Sequence, residues 1–483
     1  MLRAIPDNRV WRCVIGSGQI MPARSGLSPR SRRIGYALFA IVALSPLPFA
    51  SNRPFFWAAW GTLLCVLLLV RIRSFVPGGA QAITSGLCVP AMLWALLLAW
   101  TVIQMLPIAW LLGPVEFRSA AGETIASRSL SIAPGLTWLG FVKSFSYGVF
   151  LYLAAPTLGR MRTSTIVPSL FIVTALYALY SMVSLYLLGD RILFFNKWSY
   201  LGSATGPFVS RNSFAMFLCF GLVIGSSLVM ANLPERGRAG VTISSALFLY
   251  LTTTCLLAAT LMATQSRMGV LSAILGVVVV VVIGGVKRGW SALWLAASLV
   301  VLAGLCVAGF LLYGDAVVGR FDQTQDSMSL RLTLYRQVIQ MIAARPLAGF
   351  GDGTFEYAFP LFHDADFASD LVWDKAHSTY LTLLCEDGIP AGIATVLIFL
   401  LLAIRICVNV AAAQGGWIAP TASLGVLVAV AAHSTVDFGI EIQANMFMLL
   451  AILAVGLAKV PSRAAGQPAD RKTAAEASSP KRG

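Results

Sequence analysis

Residues 242–286 read TISSALFLYLTTTCLLAATLMATQSRMGVLSAILGVVVVVVIGGV. Two apolar runs, 242–263 and 268–286, are each close to the roughly 20 residues that cross a hydrocarbon core as a helix. Only Thr264, Gln265, Ser266 and Arg267 separate them. A backbone inside lipid must satisfy its own hydrogen bonds, so the stretch predicts a tight transmembrane hairpin with a charge at its tip.

The same pattern extends along the chain. Further spans are expected at 35–50, 54–70, 84–106, 137–158, 166–188, 213–231, 290–313, 389–406, 418–436 and 444–460, giving about twelve. The 483 residues are 58% hydrophobic and only 11% charged, too few polar groups to cover a soluble surface. The fold class is an all-α polytopic membrane protein with one large loop, residues 314–388. A basic segment, 1–33, is expected to be disordered, and Met21 could initiate the chain as well as Met1. Residues 34–460 form the membrane domain, and the Ala, Ser, Lys and Arg-rich tail 461–483 is again expected to be disordered. The first span resembles a signal peptide, but Pro48 and Phe49 stand where a small-residue cleavage pattern is needed, which predicts an uncleaved helix.

Alternating the loops places 22 of the 35 lysines and arginines, with four of the 20 acids, on the side of both termini, against 13 and 16 opposite. The positive-inside rule then puts the termini in the cytoplasm and residues 314–388 outside. The net charge of +15 is a consequence of this topology, and no nucleic-acid partner is implied. The eight cysteines show neither a disulfide framework nor metal-ligand spacing.

Chemistry gathers on the outer side. Arg211 and Asn212 open the span that begins near Ser213, and Arg267 opens the next tight turn. Helix N-termini attract anions through unpaired N–H groups, so an added guanidinium makes a two-part phosphate site; the plainer reading is a snorkelling interfacial arginine. Gly269 permits close backbone approach beside Arg267. In the large loop, Leu334, Tyr335, Val338, Ile339 and Ile342 recur at helical spacing, predicting a helix over 329–344 that lays its apolar face on the membrane or the bundle mouth. Arg331 and Arg336 would ride on its other side. The glycines of 349–353, Gly351 among them, form either a turn or a donor of N–H groups to a polar ligand.

Asp364, Asp366, Asp370 and Asp374 read as a solvated loop, with no metal site assigned. His377 precedes a helix-like stretch containing Tyr380, where a neutral imidazole can take a proton from a hydroxyl. His433 and Asp437, four apart, can meet on one helical face.

Together these motifs resemble the O-antigen ligase and polymerase family. They are Gly206-x-Phe208-x-x-Arg211-Asn212, Gln265-Ser266-Arg267-x-Gly269, Arg345-Pro346-Leu347-x-Gly349-x-Gly351-x-Gly353, Ala376-His377-Ser378-x-Tyr380 with Glu386 and Gly388, and His433-Ser434-x-x-Asp437, spread over roughly residues 200–455. The resemblance implies a GT-C-like glycosyltransferase of the bacterial inner membrane. Such an enzyme takes undecaprenyl-pyrophosphate-linked glycan on the periplasmic side and passes it, with inversion and without a metal or other cofactor, to an acceptor glycan or lipid A-core. His377 would be the base, Arg211 and Arg267 would hold the pyrophosphate, and Arg331, Arg336, Asn212, Gly351, Tyr380, His433 and Asp437 would line the substrate site. A ligase and a repeat-unit polymerase fit equally. A transporter or flippase is the reading from another class, but apart from Lys143 the mid-span regions are almost free of charge.

Overall fold

The computed structural model describes residues 27–73, 87–234, 244–304, 321–363, 373–413 and 415–458. The first helix, α1 (Pro29–Leu44), starts on a Ser28 cap with proline in its first turn. It begins and ends six residues earlier than the expected span at 35–50. Pro46 and Pro48 cannot continue a helix, and Phe49, Ala50 and Ser51 turn the chain through positive φ. Arg30, Arg32 and Arg33, placed by the sequence reading in a disordered segment, are thus helical.

Then follow α2 (Pro54–Ile72), α3 (Cys88–Met105), α4 (Pro134–Ala154), α5 (Thr163–Leu187), α6 (Arg211–Asn232), α7 (Ser245–Ala263) and α8 (Arg267–Lys287). After the short apolar helix α9 (Ala292–Gly304) come α10 (Phe321–Ala344), α11 (Thr379–Glu386), α12 (Ile389–Ala412), α13 (Ile418–His433) and α14 (Gln443–Gly456). Among the described residues eight helices, α2 to α8 and α12, are long and apolar enough to cross a membrane. The spans expected at 418–436 and 444–460 appear as the shorter apolar helices α13 and α14, and the span expected at 290–313 is described only to residue 304, as α9, the rest lying outside the described residues.

The core is built around α6, which is buried along most of its length and packs against α5, α7, α8 and α13. Small residues set the closest crossing. A methyl group on Gly276 of α8 would lie 2.8 Å from the Gly425 carbonyl of α13, and one on Gly425 would lie 2.7 Å from the Gly276 carbonyl, so only glycine lets these backbones approach so far. Helices α6 and α8 run parallel and touch at their first turns, where a methyl on Gly269 would meet Ala215 at 2.6 Å. We call this the upper end. At the lower end Arg288 donates to the carbonyls of Leu233 and Pro234 at 2.8 Å, as a cation beyond a helix C-terminus should.

A second, smaller core sits at the upper end. Leu334, Val338 and Met341 of α10 pack with Phe117, Phe350, Phe355 and Phe359. The apolar face of α10 therefore buries in its own phenylalanine-rich core, not on the membrane, and Ile339 falls on the outer side at 57% exposure. The helix also begins eight residues before the expected Ser329. Phe117 belongs to β1 (Val115–Arg118), paired antiparallel with β2 (Thr124–Ser127) in a short hairpin. A smaller hairpin, β3 (Arg191–Ile192) with β4 (Phe195–Asn196), precedes α6. Arg345 is structural: its guanidinium lies 4.3 Å over the Phe117 ring and donates to the carbonyls of Gly349 and Leu130.

Candidate functional site

Three serines start three helices at the upper end, each directly beside a residue singled out in the sequence. Ser210 caps α6 by accepting from Ser213 N–H, Ser266 caps α8 by accepting from Gly269 N–H, and Ser378 caps α11 by accepting from Leu381 N–H. Arg211 and Arg267 consequently occupy the first positions of two neighbouring, parallel helices. Arg211 is half-buried with its guanidinium 5.4 Å over the Tyr200 ring, and Arg267 is exposed. Two helix N-termini and two guanidiniums at one end of the bundle make a strongly anion-attracting surface.

His377 immediately precedes the Ser378 cap, at φ +51. Three contacts hold it there. The Tyr335 hydroxyl on α10 donates to the His377 carbonyl at 2.9 Å, and the imidazole packs edge-on to Trp373 and Phe438, with ring centres 5.8 and 5.4 Å away. Its Nδ1 is buried with no hydrogen-bond partner among the described residues. Burial, then Arg331, pushes the imidazole down to about 4, with Asp374 and Glu441 opposing. It is therefore neutral at pH 7 and able to accept a proton.

Asp437 joins the first turns of α6 and α11. Its Oδ2 accepts from Asn212 Nδ2 at 2.8 Å, while its backbone carbonyl accepts from Thr379 N–H, two residues after His377. Burial pushes the carboxyl up to about 6, against the Asn212 hydrogen bond and Arg331. Asn445 on α14 donates to the Ser213 and Gly439 carbonyls at 2.9 and 2.7 Å, tying the start of α6 to the turn after Asp437. The structure thus gathers Arg211, Asn212, Arg331, His377 and Asp437, with Arg267 at the head of the adjoining helix.

Other expected residues fall elsewhere. His433 and Asp437 do not pair: both His433 nitrogens are buried without a partner among the described residues, because α13 ends at His433 and the chain turns away before Asp437. Arg336 is exposed, on a different face of α10 from Arg331, which is half-buried. Gly351 donates its N–H to the Glu386 carbonyl at 2.8 Å, and a methyl group added there would clash with the Ser131 and Thr137 hydroxyls. The neighbouring N–H groups of Gly353 and Phe355 donate to the Glu386 carboxylate at 2.9 and 2.8 Å. These amide groups of the glycine-rich loop are occupied by the protein's own acid. The Tyr380 hydroxyl donates to the Ala431 carbonyl at 3.1 Å. Asp364, Asp366 and Asp370 lie outside the described residues. Among the described residues no three histidine, cysteine or acid side chains are placed to hold a metal ion.

The sequence reading missed a second polar cluster. Lys143 on α4, Asp352, Lys375, Glu386 and Glu441 line a cavity of about 1270 Å³ that continues down between α2, α3, α4, α12 and α13. Gly140 makes room for Asp352, since a methyl there would lie 2.5 Å from its carboxyl. Lys375 pairs with Glu441 at 3.4 Å. Burial alone would lower the Lys375 ammonium, but Glu441, Glu386 and Asp374 hold it above its ordinary value. The lone mid-span Lys143 was the only sequence signal for this cavity. Neither His377, Arg211 nor Arg267 lines it, although Thr379, Tyr380 and Ser434 do.

A mostly helical membrane bundle with an anion-attracting, histidine-bearing upper end defines a multi-pass membrane protein with an outlying chemical site. Residues 252–396 match the family model described as O-Antigen ligase. Over that segment the chain is similar to the O-antigen ligase/polymerase family. The match takes in Arg267, Arg331 and His377, while Arg211, Asn212, His433 and Asp437 lie outside it. A search of curated proteins finds no match to the chain.

Proposed function

We propose that the protein transfers glycan from an undecaprenyl-pyrophosphate-linked donor to an acceptor hydroxyl at the periplasmic face of the inner membrane, in the manner of an O-antigen ligase. The observation that carries this reading is the meeting, at one end of the bundle, of a neutral, half-buried imidazole and two arginine-headed helix N-termini, within and beside the family segment.

The chemistry follows from charge. His377 accepts the acceptor hydroxyl proton as the oxygen forms a bond to the anomeric carbon. The bond from that carbon to the pyrophosphate oxygen breaks, and the leaving group takes the electron pair. A single displacement of this kind inverts the anomeric centre. Negative charge grows on the pyrophosphate, where Arg211, Arg267 and the first turns of α6 and α8 stabilise it more in the transition state than in the ground state. Pyrophosphate leaves readily, so fixed cations can replace both a metal and a general acid. Burial, and after it Arg331, keeps His377 neutral until an anionic donor arrives to favour its protonated form.

The test is transfer by the purified protein in lipid nanodiscs, using lipid-linked donor with a labelled glycan and a glycolipid acceptor. Labelled acceptor should appear in wild-type protein and not in His377→Ala. If no product forms, while the protein in proteoliposomes moves the donor across the bilayer, the reading is wrong and the protein is a transporter.

A further inference from the structure

The cavity beside the proposed transfer site has the wrong charge for a pyrophosphate. Asp352, Glu356, Asp374, Glu386, Asp387 and Glu441 line it, against Arg53, Lys143 and Lys375 near the same end. The arginine-headed helices α6 and α8 contribute nothing to its wall. A phosphorylated head entering it would meet like charge at short range in a partly desolvated space, where repulsion is far stronger than in water. Hydroxyl or ammonium groups would find acceptors instead. Among the described residues Glu441 Oε1 is buried with no hydrogen-bond partner, while its Oε2 is held by Lys375. Trp57, Trp100 and Tyr147 line the same region and offer flat apolar faces to sugar C–H groups.

Below this head region the wall is apolar and long. Arg53, just before α2, and Ile72, at its far end, both line the cavity; at 1.5 Å per residue this is about 28 Å, close to the roughly 30 Å of a hydrocarbon core. At about 1270 Å³ the space exceeds that needed for a small polar ligand alone. It is also next to the base: Thr379 N–H donates to the Ser434 carbonyl, both residues line the cavity, and His377 lies two residues before Thr379.

We propose that this cavity is the acceptor site, and that it takes a glycolipid whose sugar head is uncharged or bears an amino group in preference to a phosphorylated head. The word acceptor rests on the transfer reading above; the preference of the cavity for a glycolipid does not. Charge thus sorts the two substrates, anionic donor head to α6 and α8, hydroxyl-rich acceptor head to the acidic cavity.

The experiment uses the full chain in phosphatidylcholine nanodiscs and a dodecyl maltoside carrying a diazirine in its alkyl chain. Photolabelling should fall on peptides of α3 around Trp94 and of α12 around Thr395–Ala403. Unlabelled dodecyl maltoside should protect at concentrations about tenfold below those of dodecyl phosphate, a discrimination of about 1.4 kcal/mol. The double variant Asp352→Asn, Glu441→Gln should shrink that preference toward unity. Equal protection by dodecyl phosphate, or label spread over the whole lipid-facing surface, overturns the proposal. Should the double variant fail to assemble, the wild-type competition decides alone. His377→Ala is expected to label as wild type does. If the labelling pattern holds in a protein that transfers no glycan, the transfer reading falls and the glycolipid site stands.

Discussion

At the scale of single residues, the chemistry rests on His377 being held in a conformation it would not choose. A non-glycine residue at φ +51 costs about 1–2 kcal/mol, repaid here by the Tyr335 hydroxyl on its carbonyl and by the Ser378 cap that follows. His377→Ala removes the imidazole without disturbing that cap. Transfer should drop by at least about 100-fold, the lower range for loss of a general base, with membrane abundance near normal by immunoblot. Arg267→Ala and Arg211→Ala should also be severe, whereas Arg336→Ala, on the exposed face of α10, should leave the rate within about twofold.

The pH dependence has a definite sign. In the free protein the imidazole lies near 4, lowered by burial and Arg331, and it can act as base only when deprotonated, so activity is lost as pH falls. An anionic pyrophosphate beside it favours the protonated form. The acid limb of kcat should therefore lie at higher pH than that of kcat/KM, since the first reports the bound complex and the second the free enzyme. Coincident limbs would remove His377 from contact with the donor charge.

At the scale of elements, what positions the arginines is the approach of α6, α8 and α13. Their closest crossing depends on Gly276 and Gly425 facing each other, with no space for a side chain on either. Gly425→Leu should cost about 1–3 kcal/mol as an overpacked contact and lower the thermal midpoint of the purified protein; an unchanged midpoint would mean that the crossing is not closely packed. The periodicity of α10 selects Leu334, Val338 and Met341, spaced four and then three apart, as one buried face. Ile339 looked like part of that face only because apolar residues also occur beside it in sequence.

At the scale of the whole molecule, the charge partition supports the proposed orientation, with both termini in the cytoplasm and the α10 side outside. A cysteine introduced at exposed Arg336 should react with an impermeant thiol reagent added to the periplasmic face. Reaction from the cytoplasmic face alone would overturn the orientation and the periplasmic site with it. Turnover on lipid-linked donor should survive a chelator and need no ATP, since arginines carry the leaving-group charge in the proposed reaction; loss with chelator and recovery with magnesium would transfer that role to a metal.

Hydropathy and charge were sufficient to read the helical membrane class, the approximate spans and the three polar motifs at Arg211, Arg267 and His377, because these depend on local composition and on helix ends. The first helix was misplaced because a hydropathy window does not see the backbone turn that Pro46 and Pro48 impose. The pairing of His433 with Asp437 failed for a similar reason: spacing by four means contact only if the helix continues, and α13 stops at His433. Tertiary structure alone could decide that the glycine-loop amides are taken by Glu386, and that Lys143, Asp352, Lys375 and Glu441 share one cavity. Lys143 and Glu441 are some 300 residues apart, and each by itself reads as an isolated charge. Their meaning comes from mutual proximity in a desolvated space, which no local pattern encodes.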